Sequence, residues 1–268
     1  MGRIQTCFDQ LNGEGKKALI PYITAGDPSP DHTVELMHAL VESGADIIEL
    51  GMPFSDPMAD GPVIQLACER ALAAGTTVRK VLEIVKEFRS INAQTPVVLM
   101  GYLNPIEFFG YQAFSDAAKE AGVDGILLVD LTPEEATDVV ECFRNNDIDL
   151  IYLLSPTTTK QRAEKICALA SGYVYYVSVK GVTGSASLDV DSVRAHVESL
   201  KDITALPIGV GFGIRDPQTA KVVSECSDGV IVGSVLVNAI AQSRGKTQDE
   251  IANALRKILA PMRSEMDK

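Results

Sequence analysis

The sequence predicts an α/β chain folded as one closed, parallel, eight-stranded (β/α)8 TIM barrel over residues 1–268, and three observations lead there. Eight short apolar runs rich in branched residues recur along the chain. They are nearly continuously apolar rather than alternating, as strands are when crossover helices bury both their faces. Segments of helical period separate them without a linker or low-complexity stretch, and 268 residues suit one barrel of roughly 250. An open doubly wound sheet is the alternative on periodicity alone.

The elements follow in order. Ala18–Thr24 reads as the first strand and Pro30–Ser43 as its helix, with Asp31 as a cap. Ile47–Gly51 is the second strand, followed by helices over Pro62–Ala73 and Val78–Ser90. Val97–Tyr102 leads into one helix over Ile106–Ala121, where Ser115 reads as a cap. Gly125–Val129 leads into Pro133–Asn146, opened by Thr132-Pro133-Glu134-Glu135 with proline at the first helical position. Leu150–Leu154 is followed by Lys160–Ala170, Val174–Val179 by Asp189–Leu200, and Pro207–Val210 by Pro217–Ser224. Gly229–Val232 closes the alternation, and a last helical region runs from Gly233 toward Pro261. Extra short helices are expected in the N-terminal and βα-loop regions. The turns at Gly44-Ala45-Asp46, Gly122-Val123-Asp124 and Ser227-Asp228 share a pattern in which Gly or Ser stops a helix and Asp makes the turn into a strand.

Composition narrows the function. Lys plus Arg number 24 against 36 Asp plus Glu, a formal charge of −12. Such a surface repels phosphate backbones and anionic lipid, so no nucleic-acid or membrane partner is expected. The longest apolar runs fall far short of the ~20 residues of a membrane helix. The polar N-terminus lacks a signal-peptide core, and the five cysteines are scattered with no C-x-x-C pair, which suits reduced thiols in the cytoplasm.

In such a barrel, chemistry belongs to the C-terminal ends of the strands. In the second strand, period two sets Ile47 and Glu49 on one face and Ile48 and Leu50 on the other. A carboxyl among apolar neighbours resists ionisation, and a raised pKa is what a proton shuttle near neutral pH requires. The plainer reading is a structural Glu paired with a buried cation. The long loop after this strand carries Asp60, either a helix-start cap or a second, solvated and ionised carboxylate over the barrel mouth. Gly-rich turns follow the last three strands, at Gly181–Gly184, Gly211–Gly213 and Gly233-Ser234. Their convergence points to a phosphoester ligand, with backbone N–H groups and a helix start as the anion site. His32, His38 and His196 all fall in helices, and no metal-ligand spacing occurs, so no metal is expected. Lys180 is the one lysine placed for a Schiff base, with a solvent-facing loop lysine as the plainer reading.

The stretch Glu49 to Pro57 with Ala59-Asp60-Gly61-Pro62 and Ile64-Gln65, together with Tyr102-Asn104-Pro105 and Gly181-Val182-Thr183-Gly184, resembles the tryptophan synthase α subunit family. The likeness extends over nearly the whole chain. It implies a lyase that cleaves indole-3-glycerol phosphate to indole and glyceraldehyde 3-phosphate by a retro-aldol reaction. By the same resemblance Glu49 is the general acid/base and Asp60 accepts a hydrogen bond from the indole N–H. Tyr22, Met100 and Leu127 line the indole pocket, Phe212 lies beside the ring, and Tyr175 and Thr183 support the site. Gly184, Gly213, Gly233 and Ser234 hold the phosphate. The chain itself needs no cofactor. The implied partner is the tryptophan synthase β subunit, which carries pyridoxal phosphate in an α2β2 heterotetramer, with Asp56, Pro57 and Asn104 in partner-contact loops. Two positions depart from the family pattern: Tyr22 stands where Phe is usual, and Val179-Lys180 where many relatives have Arg-Ala. A Schiff-base aldolase using Lys180, and a phosphate-binding activator of a partner subunit, are the competing functions.

Overall fold

The structure is a computed structural model and describes residues 2–178, 190–211 and 213–268. Among these, eight parallel strands close a barrel in chain order: β1 (Ala18–Thr24), β2 (Ile48–Gly51), β3 (Val97–Gly101), β4 (Gly125–Leu128), β5 (Asp149–Leu154), β6 (Val174–Val177), β7 (Ile208–Gly211) and β8 (Gly229–Val232). Closure is direct, with Ala18 of β1 in register with Gly229 of β8. The expected closed barrel is thus present, and the open sheet is excluded. Around it lie α2 (Pro30–Glu42), α3 (Pro62–Ala73), α4 (Val78–Ile91), α5 (Leu103–Phe109), α6 (Tyr111–Ala121), α7 (Thr137–Asn145), α8 (Lys160–Leu169), α9 (Val190–Lys201), α10 (Pro217–Ser224), α11 (Ser234–Gln242) and α12 (Gln248–Met266). An N-terminal helix, α1 (Arg3–Gly13), precedes them.

Five local expectations are corrected. The helix expected over Ile106–Ala121 is two, because Gly110 sits between them at φ +91°, a backbone that a helix cannot carry and glycine adopts freely. Ser115 is no cap. It lies buried inside α6 and donates to the Cys142 carbonyl at 2.8 Å. The Thr132–Glu135 segment closes on itself as a turn, with Glu135 N–H donating to the Thr132 carbonyl at 3.2 Å, so α7 starts only at Thr137. The last helical region also divides: α12 opens with a capping box of Thr247 and Glu250 and continues through Pro261 to Met266. Asp31 is no cap either: it lies in the first turn of α2 behind the N-cap Ser29 and Pro30, where a negative charge favours the helix dipole.

Two apolar layers fill the molecule. Outward-facing strand residues such as Leu19, Ile48, Leu50 and Leu99 pack under the helices with Leu40, Phe88, Phe114 and Phe143. Inward-facing residues, among them Ile20, Ile47, Val98, Leu127, Ile151, Tyr173 and Ile231, fill the barrel, and Ile4, Phe8 and Leu11 of α1 join them from the N-terminal end. The three repeated turn aspartates sew that end together. Asp46 N–H donates to the Leu19 carbonyl while its carboxylate accepts from Leu19 N–H, at 2.9 and 2.8 Å. Asp124 does the same with Val97 at 3.0 and 2.8 Å, and Asp228 with Ile208 at 2.9 and 3.0 Å. Each carboxylate also meets a cation: Arg263, Arg89 and Lys17 respectively. These turns tie the strand starts together, while the chemistry of such a barrel belongs to the opposite end, where the strands finish.

Candidate active site

Glu49 points into the barrel, as period two requires: Ile47 belongs to the interior layer and Ile48 and Leu50 to the outer one. It is fully buried. Tyr173 Oη donates to Glu49 Oε1 at 2.5 Å, while Oε2 is buried and has no hydrogen-bond partner among the described residues. Burial pushes the carboxyl up to about 7, against the pull of the Tyr173 bond, which favours the ionised form. Among the described residues no cation pairs with it, so the reading as half of a buried ion pair fails there.

Asp60 is not the cap of the next helix. Gly61 occupies that place, with Pro62 at the first helical position of α3. Its carboxylate instead accepts from Tyr102 Oη at 2.8 Å, and that tyrosine hydroxyl itself accepts from Ala59 N–H at 3.0 Å. Gln65 Nε2 donates to the Asp60 carbonyl at 2.8 Å, and the Phe54 ring lies 5.2 Å from that of Tyr102. The loop after β2 is thereby fastened over the end of β3. The expected solvated environment is corrected: Asp60 is half-buried, and burial raises its carboxyl while the Tyr102 bond lowers it. The charges of Glu49 and Asp60 both act on the hydroxyls of Tyr22 and Tyr175, so the two carboxylates converge on one pair of tyrosines.

The remaining candidates fall as follows. Tyr22 on β1 is buried and in register with Glu49, and its hydroxyl finds Thr24 Oγ1 at 3.3 Å. Gly51 makes room for it, since a Cβ there would stand 2.1 Å from Tyr22 Oη. Met100 touches both the interior layer and a small cluster of Tyr22, Ala67 and Val237 at the barrel mouth, and Leu127 is buried in the interior layer. Tyr175 on β6 is half-buried over Gly211. A Cβ on Gly213 would meet nothing within 4 Å among the described residues. Gly233 is the N-cap residue of α11 and Ser234 its first residue, with no side chain among the described residues capping that end. Lys180, Thr183, Gly184 and Phe212, with the Val179-Lys180 departure, lie outside the described residues.

Two residues of this site were missed. Tyr173 carried a signal in its period-two spacing from Tyr175: it stands one residue before β6, and that spacing turns both side chains toward the barrel interior. Tyr102 stood in a recognised motif, but nothing local showed that its hydroxyl holds Asp60.

The family model for the tryptophan synthase alpha chain matches residues 8–267. A tryptophan synthase alpha chain of Marinobacter nauticus is 61% identical over 267 residues, covering 100% of this chain and 98% of that one. Another, of Thioalkalivibrio sulfidiphilus, is 57% identical over 269 residues, with 100% of both covered. Among solved structures, tryptophan synthase subunit alpha of Legionella pneumophila is similar with a TM-score of 0.92 at 47% identity, covering 100% of this chain and 99% of that one. The aminoacrylate-bound tryptophan synthase of M. tuberculosis is similar at 0.88 and 33% identity, covering 99% and 100%. Sequence and fold agree from end to end, and the chain belongs to the tryptophan synthase alpha chain family, carbon–carbon lyases of tryptophan biosynthesis that cleave indole-3-glycerol phosphate.

Proposed function

We propose that Glu49 and Asp60 divide the proton work of this cleavage. Glu49 delivers a proton to C3 of the indole ring and takes one from the side-chain hydroxyl as the C–C bond breaks, releasing indole and glyceraldehyde 3-phosphate. Asp60 accepts the indole N–H and offsets the positive charge on the protonated ring. The carrying observation is the Glu49 environment: a buried carboxyl raised to about 7, with one oxygen held and the other unpartnered. Both protonation states are then populated near neutral pH, as one group serving as acid and base requires. These proton transfers need no cofactor.

Tyr22, Met100, Leu127 and Tyr175 are assigned to the pocket around the indole, with Phe212 and Thr183 completing it. Gly184, Gly213, Gly233 and Ser234 are assigned to the phosphate. The uncapped start of α11 supports that choice, because its backbone N–H groups and dipole favour an anion. The partner we propose is the β subunit, in an α2β2 assembly in the cytoplasm, with residues 1–268 acting as one domain. Asp56 and Asn104 are exposed, as are the apolar side chains of Met58 (83%) and Phe108 (95%), which suits a docking surface on these loops.

The test follows indole release from indole-3-glycerol phosphate, with and without added β subunit. Wild type should cleave slowly alone and faster with β. Glu49→Gln and Asp60→Asn should each lose on the order of 10² to 10⁴ in rate while remaining folded. Glu49→Gln activity within a few fold of wild type would refute the assignment.

A further inference from the structure

We infer that Phe8, on the N-terminal helix α1, is a positioning residue for Glu49 and acts on it through Tyr173; this rests on the acid/base reading of Glu49. Ile4, Phe8 and Leu11 recur at helical spacing on one face of α1 and are all buried in the barrel's interior layer. The Phe8 ring lies 5.9 Å from that of Tyr173, tilted by 53°. On another side the Tyr173 ring meets bare backbone, its Cδ2 lying 3.5 Å from where a Cβ on Gly209 would stand. The ring is thus confined by Phe8 and by β7, and its far end carries the hydroxyl that donates to Glu49 Oε1 at 2.5 Å. A plug at the closed end of the barrel thereby reaches the carboxyl that serves the open end.

The sensitivity is large. A displacement of about 1 Å would carry that bond out of useful range. Misplacing a reacting group by that much costs on the order of 10²-fold in rate. Phe8 touches neither substrate nor reacting atoms in this account. It limits where Tyr173, and hence the Glu49 proton, can sit. Among the described residues, the other titratable groups that sense the Glu49 charge are Tyr175 on β6 and Tyr22 on β1, with Asp60 acting on both. Burial raises all three tyrosines, so a pH midpoint near neutrality reports on Glu49 rather than on them.

The experiment is a double-mutant cycle on the full chain, measuring kcat, KM and the pH dependence of kcat. Phe8→Ala should lower kcat on the order of 10-fold to 10²-fold with KM within about twofold, and move the midpoint upward, because the bond that favours ionised Glu49 is loosened. Phe8→Leu should restore most of the loss, and Phe8→Val, which keeps less of the ring volume, carries the same cycle if the alanine variant does not fold. In a Tyr173→Phe background the Phe8 effect on kcat should vanish. Ile4→Ala, which loosens α1 where it packs beside Gly125 of β4, should lower stability without moving the midpoint. Equal losses in both backgrounds, or an unmoved midpoint in Phe8→Ala, would overturn the inference. Glu49→Gln separates the two readings. If it stays active, the acid/base assignment fails; if it is inactive while Phe8 and Tyr173 act additively, only the positioning role fails.

Discussion

Replacing Glu49 by Gln should stabilise the protein above neutral pH and leave it little changed in mild acid. Glu49 ionises near 4.5 in an unfolded chain and near 7 when folded. Between those values the unfolded state holds fewer protons, so stability falls as pH rises from the lower value, and the loss is complete above the upper one. The gap converts to about 3 kcal/mol, and full burial leaves no solvent screening to discount it. Gln escapes this penalty because it cannot ionise. Its amide keeps an oxygen for the Tyr173 hydroxyl, and the unpartnered Oε2 position costs the same at every pH. Asp60 is also raised by burial but is present in both proteins, so it cancels in the difference. Scanning calorimetry should show the Tm gap between variant and wild type widening by roughly 4 to 8 °C from about pH 5 to about pH 8.5, since about 1 kcal/mol is already lost at the lower value. A flat gap, or one that closes with rising pH, would refute the buried-carboxyl argument. The same substitution should cost on the order of 10² to 10⁴ in rate, so a group kept for chemistry is held at a cost to the fold.

Tyr102→Phe removes the bond that holds the Asp60 carboxyl down against burial. Its titration should move upward in the pH–rate profile, and turnover at neutral pH should fall about 10-fold, the worth of one hydrogen bond to a charged group. Gly51→Ala should cost about 1–3 kcal/mol in urea unfolding through overpacking. Adding Tyr22→Phe should recover only part, because ring carbon Cζ, at 2.7 Å from the new Cβ, stays after the hydroxyl has gone. Arg70→Ala should cost about 3–5 kcal/mol. It strips the two 2.7 Å bonds from the buried Asp27 carboxylate and leaves that charge uncompensated, and an unchanged unfolding midpoint would count against the pair.

Much of this was legible along the chain. Strands buried on both faces repeat a local pattern, and a period of two assigns Ile47 and Glu49 to the interior without knowledge of any neighbour. The turn aspartates were readable for the same reason, since their partners lie at the starts of adjacent strands and the device recurs. Where local signals competed, reading failed. Gly110 inside an otherwise helical stretch, and Pro133 at what resembled a helix start, were outvoted by the surrounding periodicity.

Periodicity along the chain is enough for the barrel, for the end that carries chemistry and for the inward face of Glu49, because these depend on which side chains avoid water. Folding in three dimensions settles that Glu49 is held by Tyr173, 124 residues away, with no cation beside it among the described residues. It also settles that Asp60 is half-buried against Tyr102 rather than capping a helix. A carboxyl's proton affinity depends on the dielectric and the donors within a few ångströms, and those neighbours come from strands far apart in the chain.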